Sequence, residues 1–164
     1  MMVRLGRQVR SIVERARHEA RDLHSPTLEA EHILLAISSQ DANVGKEVLL
    51  EFGLDHDALV NALAAEFQQS LSAAGVKVEY LGELEYSDAP QKTPVWGTSA
   101  KLVMMRGKEL AASRADSRIE APHLLLAALK AHEGTVPRML HVIGVDQAVL
   151  LRRTEQVLPQ LLPI

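Results

Sequence analysis

Seven histidines and 21 carboxylate side chains, in a chain of 164 residues without cysteine, are the groups that could bind a metal or move a proton. Two of the histidines share a setting. His32 stands in Leu28-Glu29-Ala30-Glu31-His32-Ile33-Leu34-Leu35-Ala36, and His123 in Ile119-Glu120-Ala121-Pro122-His123-Leu124-Leu125-Leu126-Ala127. A zinc protease helix carries two histidines four apart, so that both imidazoles face one ion. Glu31-His32 has no second histidine at that spacing. An imidazole in the first turn of a buried apolar helix is expected instead to bond a loop or a helix end. The missing cysteines exclude a disulfide frame, a thiolate zinc site and a cysteine nucleophile.

Phosphate chemistry fails a similar test. A P-loop needs Gly, four residues and Gly-Lys-Ser/Thr, so that backbone N–H groups cradle the phosphates. Gly45-Lys46 has Gln40 and Glu47 at the other positions, and Gly107-Lys108 has Leu102 and Glu109. There is no Gly-x-Ser-x-Gly elbow and no Gly-rich dinucleotide turn. The acids are spread along helix surfaces with no reason to converge. The sequence therefore predicts no enzyme, no metal and no cofactor.

The elements that carry these groups come in two copies. The two histidine segments lie 91 residues apart, and the same offset pairs Arg15 with Arg106, Leu49 with Leu140, Gly53 with Gly144, Asp55 with Asp146 and Leu59 with Leu150. Composition alone does not place Gly, Asp, Glu and His at one common offset, so the chain is an internal duplication. Its repeat is longer than the 20–50 residues of a solenoid module. Aliphatic residues and Ala dominate and aromatics make up 3%, which predicts an all-α fold.

Leu5, Val9, Ile12, Val13, Ala16, Ala20 and Leu23 recur at steps of three and four, predicting a first helix over about 4–23. Ser25-Pro26-Thr27 ends it. Helices follow at about 30–39, 44–52 and 56–68, with Gly53 as a stop and Asp55 as a cap. Pro122 fits the first turn of the matching helix in the second copy, because proline loses no bond there. That copy predicts helices at about 98–114, 121–131, 135–143 and 147–158. We read one domain over 1–164, with repeat one at 1–68, a connecting insert at 69–97 and repeat two at 98–158. In the insert, Val76 to Leu81 and Glu83 to Tyr86 alternate apolar and polar. A short β-hairpin or a plain linker both fit that pattern.

Six arginines precede residue 22, but Glu14, Glu19 and Asp22 interleave with them and no aromatic platform accompanies them. A solvated helix face is expected rather than a nucleic-acid surface. A net charge of −3 adds no pull towards nucleic acid. No apolar run reaches the 18 residues of a membrane span and the N-terminus lacks a signal-peptide core, so no membrane partner and a cytoplasmic location are expected.

With the duplication, the paired Glu-x-x-His-Leu-Leu-like segments and the Gly-x-Asp helix junctions together, the chain resembles the Clp N-terminal domain. This is the double four-helix repeat at the front of Clp-type AAA+ unfoldases and in some free-standing bacterial proteins. The resemblance covers about 1–68 and 95–158, and Val13 to Leu23 is similar to the family's first helix. It implies two four-helix repeats packed as one pseudo-twofold, eight-helix domain. It also implies a non-catalytic module that docks protein substrates, adaptors or components of a Clp unfoldase and protease. With no Walker motif, the chain looks like a free-standing copy or an excised domain.

In some members of the family each repeat carries a Thr near the start of its first helix and a Glu in a Gly-Thr-Glu-His signature, which together hold phosphoarginine. The resemblance keeps only Glu31 of that set, since Gly6 and Gly97 stand in for the Thr residues and Pro122 for the second acid. A second family surface, where the first helices of both repeats begin, binds peptides and peptide-like ligands. Its matching positions are Met2, Leu5, Arg10 and Val13, with Trp96, Lys101 and Met105. An aromatic and methionine pair flanked by basic groups suits a binding hot spot, while Trp96 could equally pin the insert to the core. A stand-alone protein that sequesters or senses a small molecule or cyclic peptide, with the insert as a lid over an enclosed apolar pocket, is the alternative.

Overall fold

The computed structural model describes residues 2–76 and 92–158. The expected hairpin falls largely on 77–91 and lies outside the described residues. Among the described residues there are eight α-helices in two sets of four: α1 (Arg7–Asp22), α2 (Ala30–Ser39), α3 (Val44–Glu51) and α4 (His56–Ala73), then α5 (Thr98–Ser113), α6 (Ala121–Leu129), α7 (Thr135–Val142) and α8 (Gln147–Val157). Two-residue strands precede α1 (β1, Arg4–Leu5), α2 (β2, Thr27–Leu28), α5 (β3, Val95–Trp96) and α6 (β4, Arg118–Ile119).

The second helix of each repeat forms the centre. Every residue of α6 is buried, as are Ala30 and His32 to Ser38 of α2. Helices apolar on most sides must be covered on most sides. In each repeat the first helix lies along the second, α1 on α2 and α5 on α6, and the remaining cover comes both from the same repeat, as α8 on α6, and from the other. α4 packs on α7, and α3 packs on both α6 and α8. The two repeats therefore share one core, and neither closes alone.

The helix signals sit where the sequence places them. Asp55 Oδ1 accepts the Ala58 N–H at 2.8 Å, and Asp146 Oδ1 accepts those of Ala148 and Val149 at 3.0 and 3.2 Å. Gly53 and Gly144 take φ of 71° and 75°, the left-handed turn that ends α3 and α7.

α1 starts at Arg7 rather than 4, because Gly6 is its extended N-cap and Arg4–Leu5 is drawn into β1. α4 continues past 68 to Ala73. The strands pair across the repeats in parallel, β1 with β4 and β2 with β3. Side chains follow the same exchange. Ser99 Oγ of α5 accepts the Ala30 N–H of α2 at 2.8 Å, and Gln8 Oε1 of α1 accepts the Ala121 N–H of α6 at 3.2 Å. Each first helix thus caps the second helix of the other repeat, satisfying a donor that has no partner within its own helix.

Candidate functional site

Both signature histidines are structural. His32 Nδ1 accepts the Glu29 N–H and His123 Nδ1 the Glu120 N–H, each at 2.9 Å, while Glu29 and Glu120 accept the N–H of their histidine in return. These are reciprocal capping boxes with histidine in the place usually held by Glu or Gln. His123 Nε2 also lies 2.9 Å from Asp116 Oδ2, which Arg114 Nε meets at 3.0 Å. Burial lowers the pKa of His32 to about 4, against the raising influence of Glu29 and Glu19.

The seven residues matched to the peptide-binding surface lie at or near the surface on several elements. Met2 is 80% exposed, Leu5 43% and Met105 50%. Arg10 and Lys101 are exposed, Val13 and Trp96 half-buried against the core. Lys101 and Met105 are four apart on α5, and Arg10 and Val13 three apart on α1, so each pair shares a helix face. Leu5 and Trp96 sit on separate two-stranded ribbons. None of the seven lines the cavities described next.

Glu31 does line one. A cavity of about 660 Å³ opens between the first turn of α2, the face of α5 bearing Thr98, Leu102 and Arg106, and the loop from Ala131 into α7. Glu31 is half-buried there, and its pKa is raised, mainly by burial and further by Glu29 and Glu66, against its own backbone hydrogen bond and Arg138. Among the described residues no cation lies within ion-pair distance of Glu31, and no acid within ion-pair distance of Arg106. Glu31, Glu133 and Arg106 therefore line the same space with no ion pair among the described residues.

Glu29, on the rim, is committed. Its carboxylate accepts the Ser99 N–H at 3.2 Å and the Ser99 hydroxyl, besides the N–H of His32. It rests on the first turns of α2 and α5 at once, a favourable seat for an anion. A Cβ at Gly97 would overlap it. The threonine implied at position 97 is thus incompatible with Glu29, and the carboxylate occupies that space. Glu29 is not among the site residues expected from sequence; its signal was the recurrence of Glu29 as Glu120 and of Gly6 as Gly97 at the common offset.

A second cavity, of about 370 Å³, lies between α4 and α7 beside Glu66, which is buried and bonded to Arg138 at 2.8 Å and Ser70 at 2.5 Å. Glu66, Ser70 and Arg138 are thus bonded to one another there. Among the described residues no group of three or more His, Asp or Glu could hold a metal ion, and no helix is long and apolar enough to cross a membrane.

The sequence profile described as the Clp repeat (R) N-terminal domain matches residues 4–92 and 97–163. Solved structures share the fold at low identity. The N-terminal domain of the caseinolytic protease associated chaperone ClpD from Arabidopsis thaliana is 15% identical with a TM-score of 0.70, over 95% of each chain. The Hsp104 N-terminal domain from Candida albicans is 15% identical with a TM-score of 0.63, over 96% of this chain and 91% of its own. A chain from a malarial protein secretion system is 17% identical with a TM-score of 0.60, over 95% and 98%. No curated protein sequence matches.

Proposed function

This chain belongs to the Clp repeat N-terminal domain family, and from that premise we propose that it is a non-catalytic docking module for protein segments in Clp-type proteolysis. The observation that carries the reading is the cavity between the repeats, where Glu31 and Arg106 face one space unpaired. A half-buried carboxylate without an ion-pair partner is costly, and a charge-assisted bond from a ligand relieves that cost. The proposed occupant is an arginine or lysine side chain on a peptide, its head on Glu31. A neighbouring carboxylate or the chain terminus of the same peptide meets Arg106.

Glu29 shapes the specificity of this seat. Its carboxylate holds the donors that would otherwise be open to a ligand's anion at the starts of α2 and α5. The site in this chain therefore favours an unmodified basic side chain over a phosphorylated one. The seven residues matched to the family's peptide surface form a second candidate contact, with Met105 and Trp96 as apolar anchors.

Fluorescence anisotropy with a labelled decapeptide containing one arginine, its glutamine counterpart and its phosphoarginine counterpart tests the reading. Binding of the arginine peptide that is lost in Glu31→Gln supports it. Equal binding of the arginine and glutamine peptides removes the basic side chain as the determinant, and tighter binding of the phosphoarginine peptide overturns the role given to Glu29.

A further inference from the structure

Glu66 is a buried acid that the fold does not require. It sits on the inner side of α4, its side chain only 7% exposed. The 91-residue offset pairs it with Val157, buried in the core on α8. The second copy thus fills the same position with an apolar side chain, and a carboxylate there carries a desolvation cost that valine does not. Part of that cost is offset across the repeats, where Glu66 Oε1 accepts from Arg138 Nε at 2.8 Å and from the Ser70 hydroxyl at 2.5 Å. Replacing a buried ion pair by apolar groups of similar volume is often neutral or stabilising, so stability alone does not account for the pair.

Both bonds to Glu66 fall on one oxygen. Among the described residues no donor reaches Glu66 Oε2, and Arg138 Nη1 has no acceptor, while Arg138 Nη2 goes to Thr135 Oγ1 at 3.3 Å. An open acceptor and an open donor therefore stand on the two partners of one ion pair. Beside them lies the cavity of about 370 Å³ between α4 and α7, whose other walls include Ala73, Pro137 and Val142. A hollow of this size, mainly apolar with a few polar groups and placed where two repeats meet, has the make-up of a small-molecule site. It shares only Pro137 with the cavity that Glu31 lines, and its ligand is independent of the one proposed there.

We propose that this cavity binds a small, neutral, mainly apolar molecule carrying an N–H beside a C=O, as in a lactam. The N–H donates to Glu66 Oε2 and the C=O accepts from Arg138 Nη1, while the apolar body rests on Ala73, Pro137 and Val142. Neutrality follows from the ion pair. Glu66 and Arg138 already balance each other, so a charged ligand would leave one charge of three uncompensated.

The probes are oxindole, a fused-ring lactam, and 1-methyloxindole, which lacks the N–H, each titrated into the ¹⁵N-labelled chain. Oxindole is expected to shift the amide signals of residues 66–73 and 138–142 around the cavity, with a Kd on the order of 1 mM for so small a ligand. 1-Methyloxindole is expected to bind at least about tenfold more weakly, the worth of one hydrogen bond to a charged acceptor. Glu66→Val installs the residue that the second copy carries, and is expected to make the two compounds bind alike. Ala73→Phe, at an exposed position at the end of α4, fills the cavity without disturbing the core and is expected to abolish the shifts. No shifts with oxindole at about 10 mM, equal binding of the two compounds by the wild type, or undiminished binding in Ala73→Phe would each overturn the proposal.

Discussion

The start of α2 and the start of α6 are the same piece of structure used twice, and they have ended in opposite conditions. Around α6 the polar groups are closed on themselves. Pro122 stands where α2 has Glu31, Gln40 reaches across to the Ser11 carbonyl at 3.1 Å, and Arg15 is bonded to Glu19, which His56 also meets at 2.8 Å. Around α2 the partner of Arg106 is gone, since Leu110 stands where Glu19 would be, and Gln147 replaces His56 and caps the end of α6 through the Leu129 and Ala131 carbonyls. What remains is a cavity lined by Glu31, Glu133 and Arg106, none of them in an ion pair among the described residues. Duplication gave a scaffold whose core needs both copies, and left its two equivalent surfaces with different polar groups.

The core is where the copies should behave alike. Leu34 and Leu125 are equivalent, and both are fully buried. Truncating either to Ala is expected to cost about 3–4 kcal/mol in urea unfolding, with the two values agreeing within about 1 kcal/mol; a much larger gap would break the picture of one shared core.

The histidines come next. The folded-state pKa of His32 is lowered to about 4 from 6.5. Between those values the unfolded chain binds a proton that the folded chain does not, so stability is complete above pH 6.5 and falls as the pH drops towards 4. The loss is on the order of 3 kcal/mol at most. Urea midpoints measured across this range check it, and a flat profile would remove His32 as the acid-labile group.

The glycines sharpen the comparison further. Gly97→Ala pushes a methyl into the Glu29 carboxylate, whereas a Cβ at Gly6 stays 3.2 Å from both the Glu120 carboxylate and the Ile119 carbonyl. Gly97→Ala is expected to cost about 2 kcal/mol, and Gly6→Ala less. Glu29→Gly should remove most of the Gly97→Ala penalty, so a double-mutant cycle with no coupling would show that Glu29 is not what requires the glycine.

The smallest effect belongs to Glu31. Its raised pKa means that the folded chain holds the proton more tightly than the unfolded chain. Stability therefore declines as the pH rises through the interval above 4.5, and Glu31→Gln should flatten that decline while slightly stabilising the chain at neutral pH. Destabilisation at neutral pH would instead mark Glu31 as a structural group.

Most of this fold is legible along the chain. α2 falls at 30–39 as expected and the remaining helix ends lie within a few residues except at α4, because apolar periodicity, Asp55, Asp146, Gly53 and Gly144 are local signals. The four strands are not legible, since two residues carry no alternation and their pairing depends on the other repeat. The same is true of the exchange through Gln8 and Ser99. The site is legible only at Glu31, which the family signature marks. Arg106 gains its meaning from the loss of an acid at position 110, and Glu29 from a glycine far along the sequence; both are relations across the fold.

The most direct test of the docking account is an NMR titration of the ¹⁵N-labelled chain with the arginine-containing decapeptide. The account predicts that the largest shifts cluster at residues 29–31, 98–106 and 131–137, around the cavity, and that they vanish in Glu31→Gln. An absence of shifts around the cavity, or shifts there that survive Glu31→Gln, would contradict it.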